Sequence, residues 1–181
     1  MELKRSLSEN RNQKGAVVVE FAILAGLLIV IVFGIIEFGF IWLQSHYIAN
    51  AAREGARIAS KPGFADEDAR EEAAEAAVQD YLKQFFLYSD DLVNDLQDPP
   101  PANIGNCNTT NFLCVVVEQA DDLITGAGGL ELPGIKVTVR VRTEQIWKPI
   151  LFSLVQILPG VMSAQADITS VTQSATFATQ N

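Results

Sequence analysis

The chain is poor in the side chains that carry most covalent and metal chemistry: it has one histidine, His46, and two cysteines, Cys107 and Cys114, in 181 residues. One histidine cannot supply the nucleophile-base pair of a triad-like site, and it stands far in sequence from the one cysteine pair, so no zinc-ligand spacing exists. No glycine-rich loop precedes a helix to cradle phosphate. The scattered carboxylates do not single out an acid/base pair. The chain is therefore read as a non-enzyme with no cofactor. Positive charge is also scarce, with 13 Lys+Arg against 22 Asp+Glu and a formal net charge of −9. The imbalance is local: residues 1–61 hold seven Lys/Arg against five Glu, whereas residues 62–181 hold six against seventeen Asp/Glu. So acidic a distal part excludes nucleic acid as a partner, because phosphate binding needs the opposite sign.

What the chain does have is one long apolar run. From Phe21 to Ile36 no charged or strongly polar side chain occurs, and after Glu37 the run continues through Phe38, Phe40, Ile41, Trp42 and Leu43. About 20 such residues in a helix cross a hydrocarbon core, and in lipid the backbone must satisfy its own hydrogen bonds, which enforces helix even on Val, Ile and Phe. The run is longer than the core of a cleaved signal peptide and lacks a small-x-small exit within it. Lys4, Arg5, Arg11 and Lys14 precede it, while Gln44, Ser45, His46 and Tyr47 follow before Arg53, so the positive-inside rule places the N-terminus in the cytoplasm. The expectation is a single-pass membrane protein, in contact with lipid, with an exported C-terminal domain.

At the start of the run stands Gly15-Ala16-Val17-Val18-Val19-Glu20-Phe21. This stretch resembles the processing site of type IV-like prepilins, in which a peptidase cuts after Gly and leaves Glu at the fifth mature position, followed by an aromatic. Glycine before the bond lets the backbone approach an active site, and Lys14 and Arg11 hold that point at the membrane surface. Glu20 is the informative residue, since a carboxylate at the edge of hydrocarbon costs roughly 3 kcal/mol unless compensated. The resemblance implies that cleavage frees an α-amino group on Ala16 and that Glu20 pairs with that amine on a neighbouring subunit. The plainer reading is a Glu20 that snorkels to the interface of an uncut helix. Glu37, about 100° around the helix from Glu20, is either interfacial or paired with an arginine of an adjacent subunit.

Beyond the run, Asn50-Ala51-Ala52-Arg53-Glu54-Gly55-Ala56-Arg57 is similar to the Asn-Ala-Ala-Arg-x-Gly-Ala-Arg stretch of TadE-like proteins. Read from the residues, Ala49, Ala52, Ala56 and Ala59 form a narrow face for close packing, and Arg53 and Arg57 share another face at i,i+4. Those arginines meet headgroups, solvent or a neighbouring subunit. The resemblance implies a TadE-like minor pilin or pseudopilin acting in Flp/Tad pilus assembly. It also implies a bacterial source, a prepilin peptidase, other minor pilins and an assembly platform as partners, and homo- or hetero-oligomers, with the chain in the inner (cytoplasmic) membrane or pilus-associated. A type II secretion pseudopilin and an unprocessed sensor or adhesin are the alternatives.

Pro62-Gly63 ends this helix, and an amphipathic helix is predicted from Asp66 to about Leu87 with Ala74, Val78, Tyr81 and Phe85 inward and Glu71, Glu72, Glu75 and Asp80 on a solvated face. After Asp98-Pro99-Pro100-Pro101, strands are predicted over 112–117, 135–142 and 164–169, with a long turn over 126–134 and a core-facing helix over 149–158. Cys107 and Cys114 lie in loop-forming sequence. They close a small disulfide loop if that loop faces an oxidising compartment, and otherwise remain thiols. The expected class is α+β: a transmembrane helix, an amphipathic helix and a small antiparallel β domain. The expected division is a basic leader over 1–15, the span and its helical extension over 16–61, helix and linker over 62–98, and an extracytoplasmic β-rich domain over 99–181.

Overall fold

The structure is a computed structural model that describes residues 2–125, 131–146 and 170–179, with side chains described from Gly15 onward except at 121, 122, 125 and 131. It is α+β. Helix α1 runs Glu2–Ala59, α2 Glu67–Leu82 and α3 Asp90–Val93; strand β1 runs Leu113–Thr125, β2 Glu131–Arg142 and β3 Ser170–Ala178. The sheet is antiparallel in the order β1-β2-β3. The chain divides into two compact units between Phe40 and Ile41.

In the first unit the described residues belong to α1. The helix begins well before the apolar run, because no proline or glycine interrupts residues 2–14. From Gly15 it is long and apolar enough to cross a membrane, and its most apolar 18-residue stretch has no residue buried within the chain. Phe21 and Phe38 are each 71% exposed. A continuous apolar surface of this extent belongs against lipid or other protein, not water.

The second unit is organised by what α1 does after Ile41. Gln44, Ile48, Ala51, Ala52, Gly55, Ala56, Ala59 and Ser60 are buried, a stripe at steps of three and four residues, while Arg53 and Arg57 stand exposed on the other side. The buried stripe shares one core with Ala74, Val78 and Leu82 of α2, with Phe85, Tyr88 and Phe112, and with Ile135, Val137, Val139 and Val141 of β2. Gly55 is the point of closest approach. A Cβ there would stand 2.7 Å from Val78 Cγ2, 3.3 Å from Ala74 O and 3.3 Å from Val137 Cγ1. Small residues on α1 let both α2 and the sheet reach its backbone, and Pro62 followed by Gly63, at φ +100°, ends the helix and turns the chain toward α2.

Asp66 caps α2 by accepting a hydrogen bond from Ala69 N at 2.8 Å. The helix is shorter than the pattern predicts. After Leu82 the bonds tighten to i→i+3, Gln84 N to Tyr81 O and Phe85 N to Leu82 O, and this turn swings Phe85 into the core. The inward residues of α2 are accordingly Ala74, Val78 and Leu82, with Tyr81 half-buried. The aromatic rings of Tyr47, Phe85, Tyr88 and Phe112 follow one another at centroid distances of 4.3, 4.8 and 5.4 Å.

Both strands of the first hairpin are longer than predicted. β1 continues past Val117 to Thr125, with a register shift between Ala120 and Ile124, and β2 begins at Glu131, so Pro133 and Gly134 lie in strand and not in a turn. Pro133 is tolerated because its carbonyl serves the ladder, accepting from Thr179 N at 3.2 Å. The strand predicted over 164–169 and the helix over 149–158 lie outside the described residues. The third strand of the sheet is β3, which starts at Ser170.

Replacing Gly55 tests this packing. Alanine gains about 1 kcal/mol of helix propensity but overpacks a site closed on three sides, which costs roughly 1–3 kcal/mol. Gly55→Ala is therefore expected to lower the thermal unfolding midpoint of the detergent-solubilised chain, followed by near-ultraviolet circular dichroism. Gly39→Ala, where a Cβ meets nothing within 4 Å, is expected to leave it unchanged or higher.

Candidate functional site

The residues singled out at the start of the apolar run sit on a continuous helix. Gly15, Ala16, Glu20 and Phe21 are all exposed, and a Cβ on Gly15 would meet nothing within 4 Å. The Gly15–Ala16 bond lies inside α1, so a protease acting there has to unwind the helix locally. Glycine, with its high cost in a helix interior, lowers that barrier by about 1 kcal/mol. Glu37 is different from Glu20, being 9% exposed.

Beyond the run, the two arginines are held by their own helix. Arg57 donates from Nε to Glu54 Oε2 at 2.8 Å and from Nη2 to Glu54 Oε1 at 2.5 Å, and Arg53 donates from Nη1 to Asn50 Oδ1 at 3.1 Å. The hydrogen bond from Arg57 holds the Glu54 carboxyl below its ordinary range, against a smaller opposing effect of burial. With 1.5 Å of rise per residue, Glu37 and Arg53 of one helix are separated by about 24 Å, so a pair between them requires two chains. The alanines of the Asn50–Arg57 stretch do not lie on this surface. Ala52, Ala56 and Ala59 are in the core as the spacing predicts, joined by Ala51, while Ala49 is only half-buried.

Cys107 and Cys114 are joined by a disulfide, with Cα atoms 6.0 Å apart. The loop between them is pinned from both sides. Arg140 donates to Cys107 O at 2.9 Å and to Asn108 O at 2.5 Å, while Asn108 N donates to Gln97 Oε1 at 2.7 Å. Asp95 accepts from Asn111 Nδ2 at 2.7 Å and from Phe112 N at 2.9 Å. Asp95, Gln97 and Asn111 carry no motif that sequence reading could pick out, because their partners are distant in the chain.

The acidic face of α2 is not uniformly solvated. Asp68, Glu71, Glu72 and Glu75 line a groove of about 560 Å³ with Leu96, Asp98, Pro99 and Pro100. Burial, and then the charges of Glu71, Asp98 and Glu72, push the Glu75 carboxyl from its ordinary 4.5 up to about 7. Burial also raises Glu71, with Asp68 adding to it. The proline segment, folded back over α2, removes water that the helical pattern alone assigned to these side chains. Among the described residues no group of three or more His, Cys, Asp and Glu is arranged to hold a metal ion.

Glu75 gives the second unit a pH dependence. Its folded state binds the proton more tightly than the unfolded chain, so its contribution is most favourable below pH 4.5 and is lost as pH rises to about 7. Glu75→Gln is expected to raise stability at pH 8 by about 1 kcal/mol, a value discounted because the carboxyl is half exposed, and to flatten the profile between pH 4.5 and about 7. Denaturant titrations across that range check it; an unchanged profile rejects the assignment.

Residues 15–57 match the family model of TadE-like protein. The match covers the exposed apolar length of α1, the buried small-residue stripe through Ala56 and both arginines, and it ends before α2. Neither curated proteins nor solved structures give a match to the chain.

Proposed function

We propose that this chain is a membrane-anchored minor pilin or pseudopilin that acts in assembly of an Flp/Tad-type pilus, after a prepilin peptidase cuts it between Gly15 and Ala16. The observation that carries the reading is the composition of α1. One helix holds a TadE-like segment, begins its exposed apolar length at Gly15 with a carboxylate five residues on, and then changes into the spine of a folded domain. An anchor for an independent sensor needs only the apolar length. The carboxylate at its edge and the glycine before it are what an assembling subunit adds.

In this reading the basic leader lies in the cytoplasm, α1 crosses the inner membrane, and the second unit is extracytoplasmic, where an oxidising environment suits the Cys107–Cys114 bridge. Cleavage leaves Ala16 with a charged amine. Glu20 lies four residues along the same helix and receives the amine of a neighbouring copy or related pilin, which fixes axial register because the pair is strong only where both charges are out of water. Glu37 and the exposed Arg53 and Arg57 are further contacts between subunits. The arginines' present partners on the same helix, Asn50 for Arg53 and Glu54 for Arg57, form exposed pairs that water and salt weaken, and so give way readily. The exterior domain distinguishes the chain from a major pilin that is little more than a helix.

N-terminal mass spectrometry of membrane-extracted protein, from cells with and without the peptidase, tests the reading. The mature chain is expected to begin at Ala16 only when the peptidase is present; a start at Met1 in both strains overturns it in favour of an uncut anchor. Glu20→Ala is expected to leave insertion and cutting intact while lowering the number of assembled pili about tenfold or more, the effect of losing a desolvated ion pair. Wild-type piliation in that variant removes the register role.

A further inference from the structure

Within the second unit two large apolar side chains are more than half exposed among the described residues, Trp42 at 58% and Phe86 at 75%. Trp42 belongs to the last part of the apolar run, and its ring stands edge-on to His46 at 4.3 Å. Phe86 is far from it in sequence, in the turn after α2. The core takes its neighbour Phe85, which is 1% exposed, and leaves Phe86 outside.

The packing of α2 brings the two exposed rings to one end of the unit. Val78 and Ala74 stand against Gly55, whereas farther along α2 Tyr81 and then Phe85 meet Tyr47, with ring centroids 5.8 and 4.3 Å apart. From Gly55 to Tyr47 α1 descends about 12 Å, so α2 runs antiparallel to it and ends on the side of Trp42. The chain then reverses, because Gln79 Nε2 donates to Val93 O at 3.2 Å and brings α3 back alongside α2. Phe86, its ring centroid 5.1 Å from that of Phe85, therefore lies at the turning point, at the end of the unit where the apolar run stops.

Charge is sorted in the same direction. Glu67, Asp68, Glu71, Glu72 and Glu75 occupy the first part of α2, away from this end, while between Tyr81 and Ser89 the one charged residue is Lys83. Along α1 no Asp, Glu, Lys or Arg stands between Glu37 and Arg53. Asp90 and Asp91 follow on the returning side, so the end is apolar and not basic.

We infer that the Phe86 turn is a second membrane contact, with the Phe86 ring seated at the headgroup-acyl boundary of the bilayer that α1 crosses. The inference rests on the membrane-anchored reading above. Aromatic rings gather at that depth because they remove apolar area from water without entering the hydrocarbon centre. Trp42 and Tyr47 are about 140° apart around α1, so Trp42 and the turn beside Tyr47 reach the boundary on different sides of the helix. Two such contacts restrain the unit at the surface more than Trp42 alone. A protein partner fits less well. A stable interface buries on the order of 1,200 Å² or more, and here one ring is flanked by exposed Gln84, Ser89 and Asp90, polar groups that suit a headgroup layer.

The test uses the full chain, extracted from membranes and reconstituted into vesicles of phosphatidylethanolamine and phosphatidylglycerol. The photo-cross-linking residue benzoylphenylalanine is placed singly at Phe86, at Phe38 in the apolar run, or at Glu67 at the far end of α2, and mass spectrometry identifies what each captures. Phe38 and Phe86 are both expected to capture lipid, Phe86 about tenfold or more above Glu67. With the cross-linker at Gln84 instead, Phe86→Ser is expected to lower lipid capture about fivefold and Phe86→Trp to retain it. Thermal unfolding is expected to stay unchanged in both, since the ring lies outside the core. Direct capture at Phe86 keeps the inference testable should the serine disturb folding. Capture at Phe86 of another copy, or of residues of the same chain, in place of lipid overturns the inference, as does lipid capture at Gln84 that a folded Phe86→Ser chain leaves intact. Lipid at Phe38 without lipid at Phe86 rejects this contact alone, whereas no lipid at Phe38 rejects the membrane-anchored reading with it.

Discussion

The constraint on which everything else depends is that one uninterrupted helix has to suit two surroundings. From Gly15 to Phe40 α1 shows apolar side chains on nearly every side, which only lipid or other protein can accept. From Ile41 onward the same helix has a buried stripe and an exposed one. The change of pattern happens within one helix, Glu2–Ala59. The cost falls on side-chain size. A helix that must let another helix and a sheet reach its backbone within one turn has room for little beyond Ala and Gly, and Ala51, Ala52, Gly55, Ala56 and Ala59 are those residues.

Close approach of this kind matters because the domain is small. Small domains are marginal unless something supplements burial. Three supplements are visible. The aromatic series from Tyr47 to Phe112 fills the space that the small stripe on α1 leaves at its margin. The disulfide shortens the unfolded ensemble around residues 107–114. The network of Asp95, Gln97, Asn108, Asn111 and Arg140 ties that loop to the sheet through hydrogen bonds, several of them to charged groups.

Much of this was legible in the sequence because it is local. The apolar run, the stop at Pro62-Gly63, the cap at Asp66 and the alternation of residues 135–142 each report their own structure through periodicity or turn chemistry. What failed was decided by residues far away. The predicted helix to Leu87 follows from a 4-3-4 spacing that continues past Leu82, but Phe85 gains more by turning into the aromatic cluster than by extending the helix. The solvated reading of Glu71 and Glu75 is correct for an isolated amphipathic helix and wrong once the Asp98–Pro100 segment covers it. Pro133 and Gly134 look like turn residues, yet a strand that needs only the proline's carbonyl accepts them. Spacing puts Arg53 and Arg57 together on the exposed face, and Glu54, three residues before Arg57, holds that arginine in an ion pair local enough for the sequence to display.

Strand edges connect this local picture to assembly. A sheet of three strands has as much edge as face, so the backbone groups it leaves unpaired are a larger share of its hydrogen bonding than in a wide sheet. Natural edges are protected by charge, proline, bulges or coverage, each of which costs a little stability. β1 shows two of these, coverage at Leu113 by the backbone of Asp95 and Gln97 and a register shift between Ala120 and Ile124. An asymmetry of another kind appears in α1, where one side of the distal helix is closed by the core and the other presents Arg53 and Arg57.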